Sequence, residues 1–368
     1  MLNKLRTKIE TIMVGSKDAD DGFTEHALSG AARLYGGVAK IRETLYRKNI
    51  KKRFRLPCYV ISVGNLTVGG TGKTPMVIYL AGLVTNLGYT AAIVSRGYGG
   101  EASSVGGVVS DGSSLLLNAK MAGDEPYMMA KRLLHLSVPV VVGSNRYEAG
   151  MTAVRHFKPD IIILDDGFQH MKLERDLNIC LFDAGCPLGN GCVMPRGTLR
   201  EPAAAVNRAD IIVLTRAGDD DRATVEHFRS SVKVAGADAG VDRLPVFTSC
   251  HTAVVTASEP VERDVYAFSG IAKNEAFRKT VLEAGYFIKG FKEYPDHYYY
   301  SSEDCIDIEG NAEKSGAVAV ITTEKDYAKI ETLFDWRLKL IIINIDIDFG
   351  NDENRFKALI RDNILKRH

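Results

Sequence analysis

Short β-branched runs alternate along the chain with stretches whose apolar positions recur at helical spacing. The runs at 58–64, 90–94, 138–142, 160–164, 177–182 and 209–215 read as strands, and helices are expected near 75–87, 124–136 and 145–157. Residues 161–164 and 211–214 are apolar without alternation, as strands covered on both faces must be. The pattern predicts the α/β class: a mostly parallel sheet with helices on both faces. Ligands of such sheets collect at the carboxyl ends of the strands.

The rhythm lapses over 217–264, where an acidic cluster at 219–221 precedes a helix-like segment and two possible paired strands, Leu244–Ser249 and Thr252–Thr256. A second β-α alternation follows, with strands at 265–268, 286–291, 317–322 and 338–345. A helix is expected near 274–284, and a charged helix over 351–366 closes the chain. The boundaries expected from this reading are a basic helical region over 1–55, a core over 56–250, a linker over 251–264 and a smaller C-terminal α/β domain over 265–368.

In the front region Leu28, Ala31, Leu34, Tyr35, Val38, Ile41 and Leu45 recur at three- and four-residue steps, and basic residues crowd the far end from Arg42 to Arg55. This is an amphipathic basic helix. Two destinations fit it: the protein's own core, or the surface of a membrane. Residues 2–13 repeat the pattern weakly.

The 368 residues suffice for two domains with separate cores. Bulk charge is nearly balanced, but residues 1–55 carry 13 basic against 6 acidic side chains, so that end suits an anionic surface. Six scattered cysteines without a C-x-x-C pair fit a reduced, cytoplasmic protein. No apolar run is long enough to span a bilayer, and the first 13 residues lack the core of a signal peptide.

The chemistry enters at residues 58–76, where a strand runs through a glycine-rich loop into a helix. Thr67, Val68, Gly69, Gly70, Thr71, Gly72, Lys73 and Thr74 form a phosphate cradle: glycines let the backbone bend towards an anion, a helix start presents N–H groups, and Lys73 adds a charge. Thr74 offers its hydroxyl to a magnesium ion. The pattern G-x-x-x-x-G-K-[ST] is met at 72–74 but has Thr67 at its first position. Together with the strand order, this loop points to a P-loop NTPase-type sheet.

Phosphoryl transfer requires a held triphosphate, a bridging metal and an oriented acceptor. Asp165 and Asp166 end an apolar strand and suit metal binding, although either could simply form a strand-terminal turn. Asp124, in Gly123-Asp124-Glu125-Pro126, reads either as an ordinary helix-start residue or as the base that takes a proton from an attacking alcohol. His297 stands beside three tyrosines, where it could pack or could hold a carboxylate such as Asp124. The segments 95–100 and 195–202 bring arginines on bendable backbone, either to grip phosphate or to cap loops.

In order, Leu34-Tyr35, Leu45-Tyr46-Arg47, the loop 63–75, Ser95-Arg96-Gly97-Tyr98, Gly123–Pro126, Leu164–His170, Leu199–Pro202, Asp296–Tyr298 and Thr323–Asp326 resemble the tetraacyldisaccharide 4′-kinase family over nearly the whole chain. That family's phosphate loop also lacks the first glycine. The resemblance implies transfer of the γ-phosphate of ATP, with Mg2+, to the 4′-hydroxyl of a tetraacylated disaccharide 1-phosphate, giving lipid IVA at the cytoplasmic face of the bacterial inner membrane. It implies Lys73 and Thr74 on phosphate and magnesium, Asp124 as base with His297 as partner, and Asp165 and Asp166 beside the metal. Arg200 and Glu201 fall at active-site positions, Arg200 with a catalytic role and Glu201 on the metal side. The partners implied are the acylated substrate and the membrane surface, with no nucleic acid and no obligate protein partner.

Two other readings use the same loop. A kinase or ligase for a soluble metabolite would work without lipid or detergent. A nucleotide-driven switch is disfavoured, because Thr323–Asp326 is not the N-K-x-D guanine pattern and Asp165–Gly167 is not spaced as D-x-x-G.

Overall fold

The computed structural model describes residue 13 and residues 22–218, 221–236, 240–256 and 263–366. The weak repeat at 2–12, most of the acidic cluster at 219–221 and residues 257–262 of the expected linker lie outside the described residues. By internal contacts the chain forms two compact units, each assembled from separated segments. One comprises 1–96, 145–250 and 348–368; the other comprises 97–144 and 251–347.

In the first unit, β1 (Tyr59–Asn65), β2 (Ala91–Ser95), β5 (Ile161–Asp165), β6 (Leu177–Asp183) and β7 (Ile211–Thr215) form a parallel sheet in the order β7-β6-β1-β5-β2. The first residues of β8 (Val246–Thr256) add to β7 in parallel. β1, β2, β5 and β7 are buried at every position, which is why their sequences run apolar without alternation. Asn65, Ser95, Asp165, Asp183 and Thr215 stand at the carboxyl ends of adjacent strands and so form a polar row along one edge.

In the second unit, β9 (Asp264–Ser269), β10 (Phe287–Glu293), β11 (Ala319–Thr323) and β12 (Lys339–Asp348) run parallel in the order β10-β9-β11-β12. Phe268, Cys305, Ile308 and Val320 fill one face of that sheet; Val265, Phe277, Val281 and Ile341 fill the other. A short antiparallel pair, β3 (Gly107–Ser110) and β4 (Val140–Val142), belongs to the same unit.

The helices in chain order are α1 (Gly22–Arg47), α2 (Lys73–Asn86), α3 (Ala119–Ala122), α4 (Asp124–Leu133), α5 (Arg146–Phe157), α6 (Asp221–Val234), α7 (Asn274–Glu283), α8 (Ser302–Lys314), α9 (Glu324–Ile330) and α10 (Glu353–Leu365). The two paired strands expected over 244–256 are one strand, β8. Its first four residues are buried, and the rest alternates between exposed and half-buried. The change of pattern at Cys250-His251 imitates a break, so 251–256 is strand and not linker.

α1 also differs from a simple core helix. Its packed positions include Leu28, Ala32, Gly36, Ala39, Leu45 and Tyr46, and small side chains in the middle of the helix permit close approach; a Cβ on Gly36 would lie 3.4 Å from Val193. The middle of the expected apolar stripe faces outward, Leu34 being 72%, Val38 59% and Ile41 62% exposed, while Leu28 and Leu45 at its ends are half-buried.

Candidate active site

The phosphate loop follows β1 and is braced on both sides. Val68 N donates to Thr198 O at 2.7 Å, Arg200 N to Leu66 O at 2.7 Å, and Thr215 Oγ to Thr71 O at 3.1 Å. Arg216 holds Gly70 O and the Asp183 carboxylate, each at 2.7 Å. Gly72, with φ 78°, precedes α2 without a side-chain cap, so the first N–H groups of that helix are left to an anion. Gly64, at the end of β1, has no room for a side chain: a Cβ there would sit 2.5 Å from Phe168 Cβ.

Lys73 Nζ lies 3.3 Å from Asn65 Oδ1 and 3.6 Å from Asp166 Oδ1. Arg200 Nη1 donates to both oxygens of Asp166, at 3.0 and 2.9 Å. Burial raises the Asp166 pKa, but Lys73, Arg200 and Arg146 outweigh it and hold the carboxyl below its ordinary value. Asp166 thus stands ionised between the two cations that would face a triphosphate. Asp165 is buried and accepts from Ser95 Oγ at 2.8 Å. Glu201, also buried, is paired with Arg208 through Oε2, and Arg196 is tied to Glu25 of α1 at 2.6 Å. Of the arginines at 195–202, Arg200 therefore turns to the acidic pair while Arg196 secures a helix.

Thr74 and Asp165 supply hard oxygen donors of the kind magnesium takes. Among the described residues no group of three or more His, Cys, Asp or Glu could hold a metal alone.

In the second unit Asp124 is the first residue of α4. Gly123 precedes it with φ 90°, and a Cβ there would come within 2.6 Å of Tyr98 O. Gly100 packs equally closely on Ala122. The glycines at 97–100 thus let this turn lie against the start of α4 and fix the backbone that carries Asp124.

Asp124 Oδ2 lies 3.5 Å from His297 Nδ1 and 3.6 Å from Lys329 Nζ. Burial pushes the Asp124 carboxyl up, but the His297 hydrogen bond and the charges of Lys329 and Lys325 hold it below its ordinary value. Lys325 Nζ is 3.3 Å from His297 Nε2. An ammonium can only donate, so Nε2 accepts and Nδ1 carries the proton that faces Asp124. Tyr98 sets its ring edge-on to His297 at 5.9 Å.

The structure thus brings Lys73, Asp166 and Arg200 together in one unit and Asp124 with His297 in the other. Lys329 was missed by sequence reasoning. The motif Thr323–Asp326 lies just before it, but nothing in a short charged helix signals that a lysine three residues on is 6% exposed.

Residues 24–365 match the family model described as LpxK, tetraacyldisaccharide-1-P 4′-kinase. The chain is 39% identical over 366 residues to the tetraacyldisaccharide 4′-kinase of Desulfatibacillum aliphaticivorans, covering 95% of each chain. It is 40% identical over 319 residues to the enzyme of the same description from Syntrophus aciditrophicus, covering 83% of this chain and 84% of that one. A crystal structure of LpxK from Aquifex aeolicus in complex with ATP superposes with a TM-score of 0.73 at 34% identity, covering 93% of this chain and 99% of that one.

Proposed function

Because the chain belongs to the tetraacyldisaccharide-1-P 4′-kinase family, we propose that Asp124 is the base of its reaction and that residues 67–74 hold the phosphates of its donor. The protein is a kinase: it transfers the γ-phosphoryl group of ATP to the 4′-hydroxyl of a tetraacyldisaccharide 1-phosphate, forming lipid IVA. The observation that carries the assignment of Asp124 is its environment. It is a mostly buried carboxylate held ionised by His297 and Lys329 at the head of a helix.

In the proposed mechanism the loop N–H groups and the start of α2 cradle the phosphates, while Lys73 leaves Asp166 for the oxygens of the transferring group. Arg200 stays with Asp166 and keeps its charge balanced when Lys73 moves. Thr74 and Asp165 are the residues that would hold magnesium, with Glu201, whose Oε2 is engaged by Arg208, as a further oxygen donor beside them. When bound, the ion neutralises charge on the β and γ oxygens. Asp124 takes the proton of the 4′-hydroxyl as the acceptor oxygen bonds to the γ-phosphorus and the bond from that phosphorus to the bridging oxygen breaks, releasing ADP; His297 steadies the carboxylate through its Nδ1–H.

We further place the enzyme at the cytoplasmic face of the inner membrane as a peripheral protein. No helix of the described residues is long and apolar enough to cross a bilayer. α1 supports surface binding instead, because Leu34, Val38 and Ile41 project outward and basic residues from Arg42 to Arg55 follow. The acylated substrate would be met where it resides.

The proposal is tested by ADP release with ATP and the tetraacylated disaccharide 1-phosphate in mixed micelles. Release that requires the lipid acceptor and prefers ATP is expected; release independent of it, or strong selection for GTP, contradicts the reading.

A further inference from the structure

Lys329 is 6% exposed, and a cation so deeply placed needs a carboxylate. It has two: Asp326 Oδ1 at 3.1 Å and Asp124 Oδ2 at 3.6 Å. Asp326 is wholly buried, and its Oδ2 accepts from Gly270 N at 2.9 Å and from Thr323 Oγ at 2.8 Å. The anchor is therefore rigid, tied to the ends of β9 and β11. Asp326 alone would neutralise the ammonium, yet Lys329 also reaches the carboxylate assigned as base. The nearest approach of His297 Nδ1, at 3.5 Å, is to the same oxygen, Oδ2, so both groups sit closest to one oxygen of the carboxylate.

We propose that Lys329 is a positioning residue for phosphoryl transfer: anchored on Asp326, it fixes Oδ2 of Asp124 and leaves Oδ1 to receive the proton of the acceptor hydroxyl. The inference rests on the reading of Asp124 as base. Its chemistry is that of a preorganised carboxylate. The ammonium pairs with Oδ2 across 3.6 Å, keeps the carboxylate ionised at neutral pH, and limits rotation of the side chain, so the oxygen that takes the proton is set before the acceptor arrives. The charged and titratable groups facing Asp124 are Lys329 and Lys325 from α9 and His297 from the loop after β10. Asp326 faces it through Lys329, and Asp296 and Glu125 through Lys325.

The test compares Lys329→Met, Lys329→Arg, Asp124→Asn and the double variant Asp124→Asn/Lys329→Met by turnover, KM for ATP and the pH profile of kcat. Lys329→Met should lower kcat at least tenfold, leave KM for ATP within twofold, and move the acid limb up by about one pH unit, because a carboxylate that loses a cation within 4 Å becomes easier to protonate. Lys329→Arg keeps the charge and should keep the limb in place. In the Asp124→Asn background, Lys329→Met should add no further loss, since it acts through the missing carboxylate.

Full turnover by Lys329→Met, an unmoved acid limb, or additive losses in the double variant would overturn the role of Lys329 while leaving Asp124 as base. Near-normal turnover by Asp124→Asn would instead remove the base assignment itself. Should Lys329→Met fail to melt cooperatively, Lys329→Arg decides: a limb displaced as far as one pH unit would overturn the proposal.

Discussion

Replacing Asp124 by Asn is nearly isosteric and removes one charge and one basic oxygen. Asp124 is 15% exposed and lies 3.6 Å from the Lys329 ammonium. At that distance the Coulomb attraction runs from about 1 kcal/mol in water to roughly 5 kcal/mol at an effective dielectric of 20. Lys329 keeps Asp326 at 3.1 Å, so no cation is stranded, and the stability cost should stay at about 1–2 kcal/mol. A loss of that size lowers the melting temperature by a few degrees and leaves the protein folded.

The kinetic cost is larger, because a general base contributes on the order of 10²–10⁴-fold. Asp124→Asn should therefore lose roughly two to four decades of kcat, while ATP affinity measured by calorimetry stays within about threefold, since the cradle residues are untouched. The stability cost should also depend on pH. The Asp124 carboxyl is depressed below its ordinary value of 3.8, so its stabilisation is complete above that value and fades as pH falls through the lower, folded value. The difference in stability between wild type and variant should shrink below about pH 4. Turnover within tenfold of wild type would refute the base assignment.

Three other outcomes follow from the structure. Lys73→Met should weaken ATP binding tenfold or more in calorimetry, and unchanged affinity would remove the loop from the donor site. Gly64→Ala, which forces a Cβ to within 2.5 Å of Phe168, should cost about 1–3 kcal/mol in denaturant unfolding; an unchanged midpoint would show that the strand end yields freely. Replacing Leu34, Val38 and Ile41 together with Asp should abolish co-sedimentation with anionic vesicles without lowering the melting temperature. Loss of folding would mean that these side chains are packed.

The core strands of the first unit were readable because their physics is local: continuous apolar runs such as 161–164 can serve only a doubly covered strand. The phosphate loop was readable for the same reason, since few backbones other than a cradle need glycine at 69, 70 and 72. Long-range packing was not readable. α8 escaped notice although Ser301 and Asp304 form a capping box at its start, because its buried side reads Cys305, Ile308, Glu309 and Ala312, and Glu309 interrupts the apolar spacing. The grouping of 97–144 with 251–347 depends on contacts between distant segments that no local pattern reports. α1 was read as one apolar stripe, but Leu34, Val38 and Ile41 in its middle face outward while Ala32, Gly36 and Tyr46 turn inward. Asp124 and His297 were identifiable by motif; Lys329 became visible only through its burial between two carboxylates.

The activity at stake is movement of the terminal phosphoryl group of ATP to the 4′-hydroxyl of an acylated disaccharide 1-phosphate. Incubation with γ-labelled ATP and that acceptor, followed by mass spectrometry and NMR of the recovered lipid, tests it directly. A bisphosphorylated product with the label at the 4′ position, dependent on Asp124, is expected. A lipid recovered without label, while the protein still binds ATP, would contradict it.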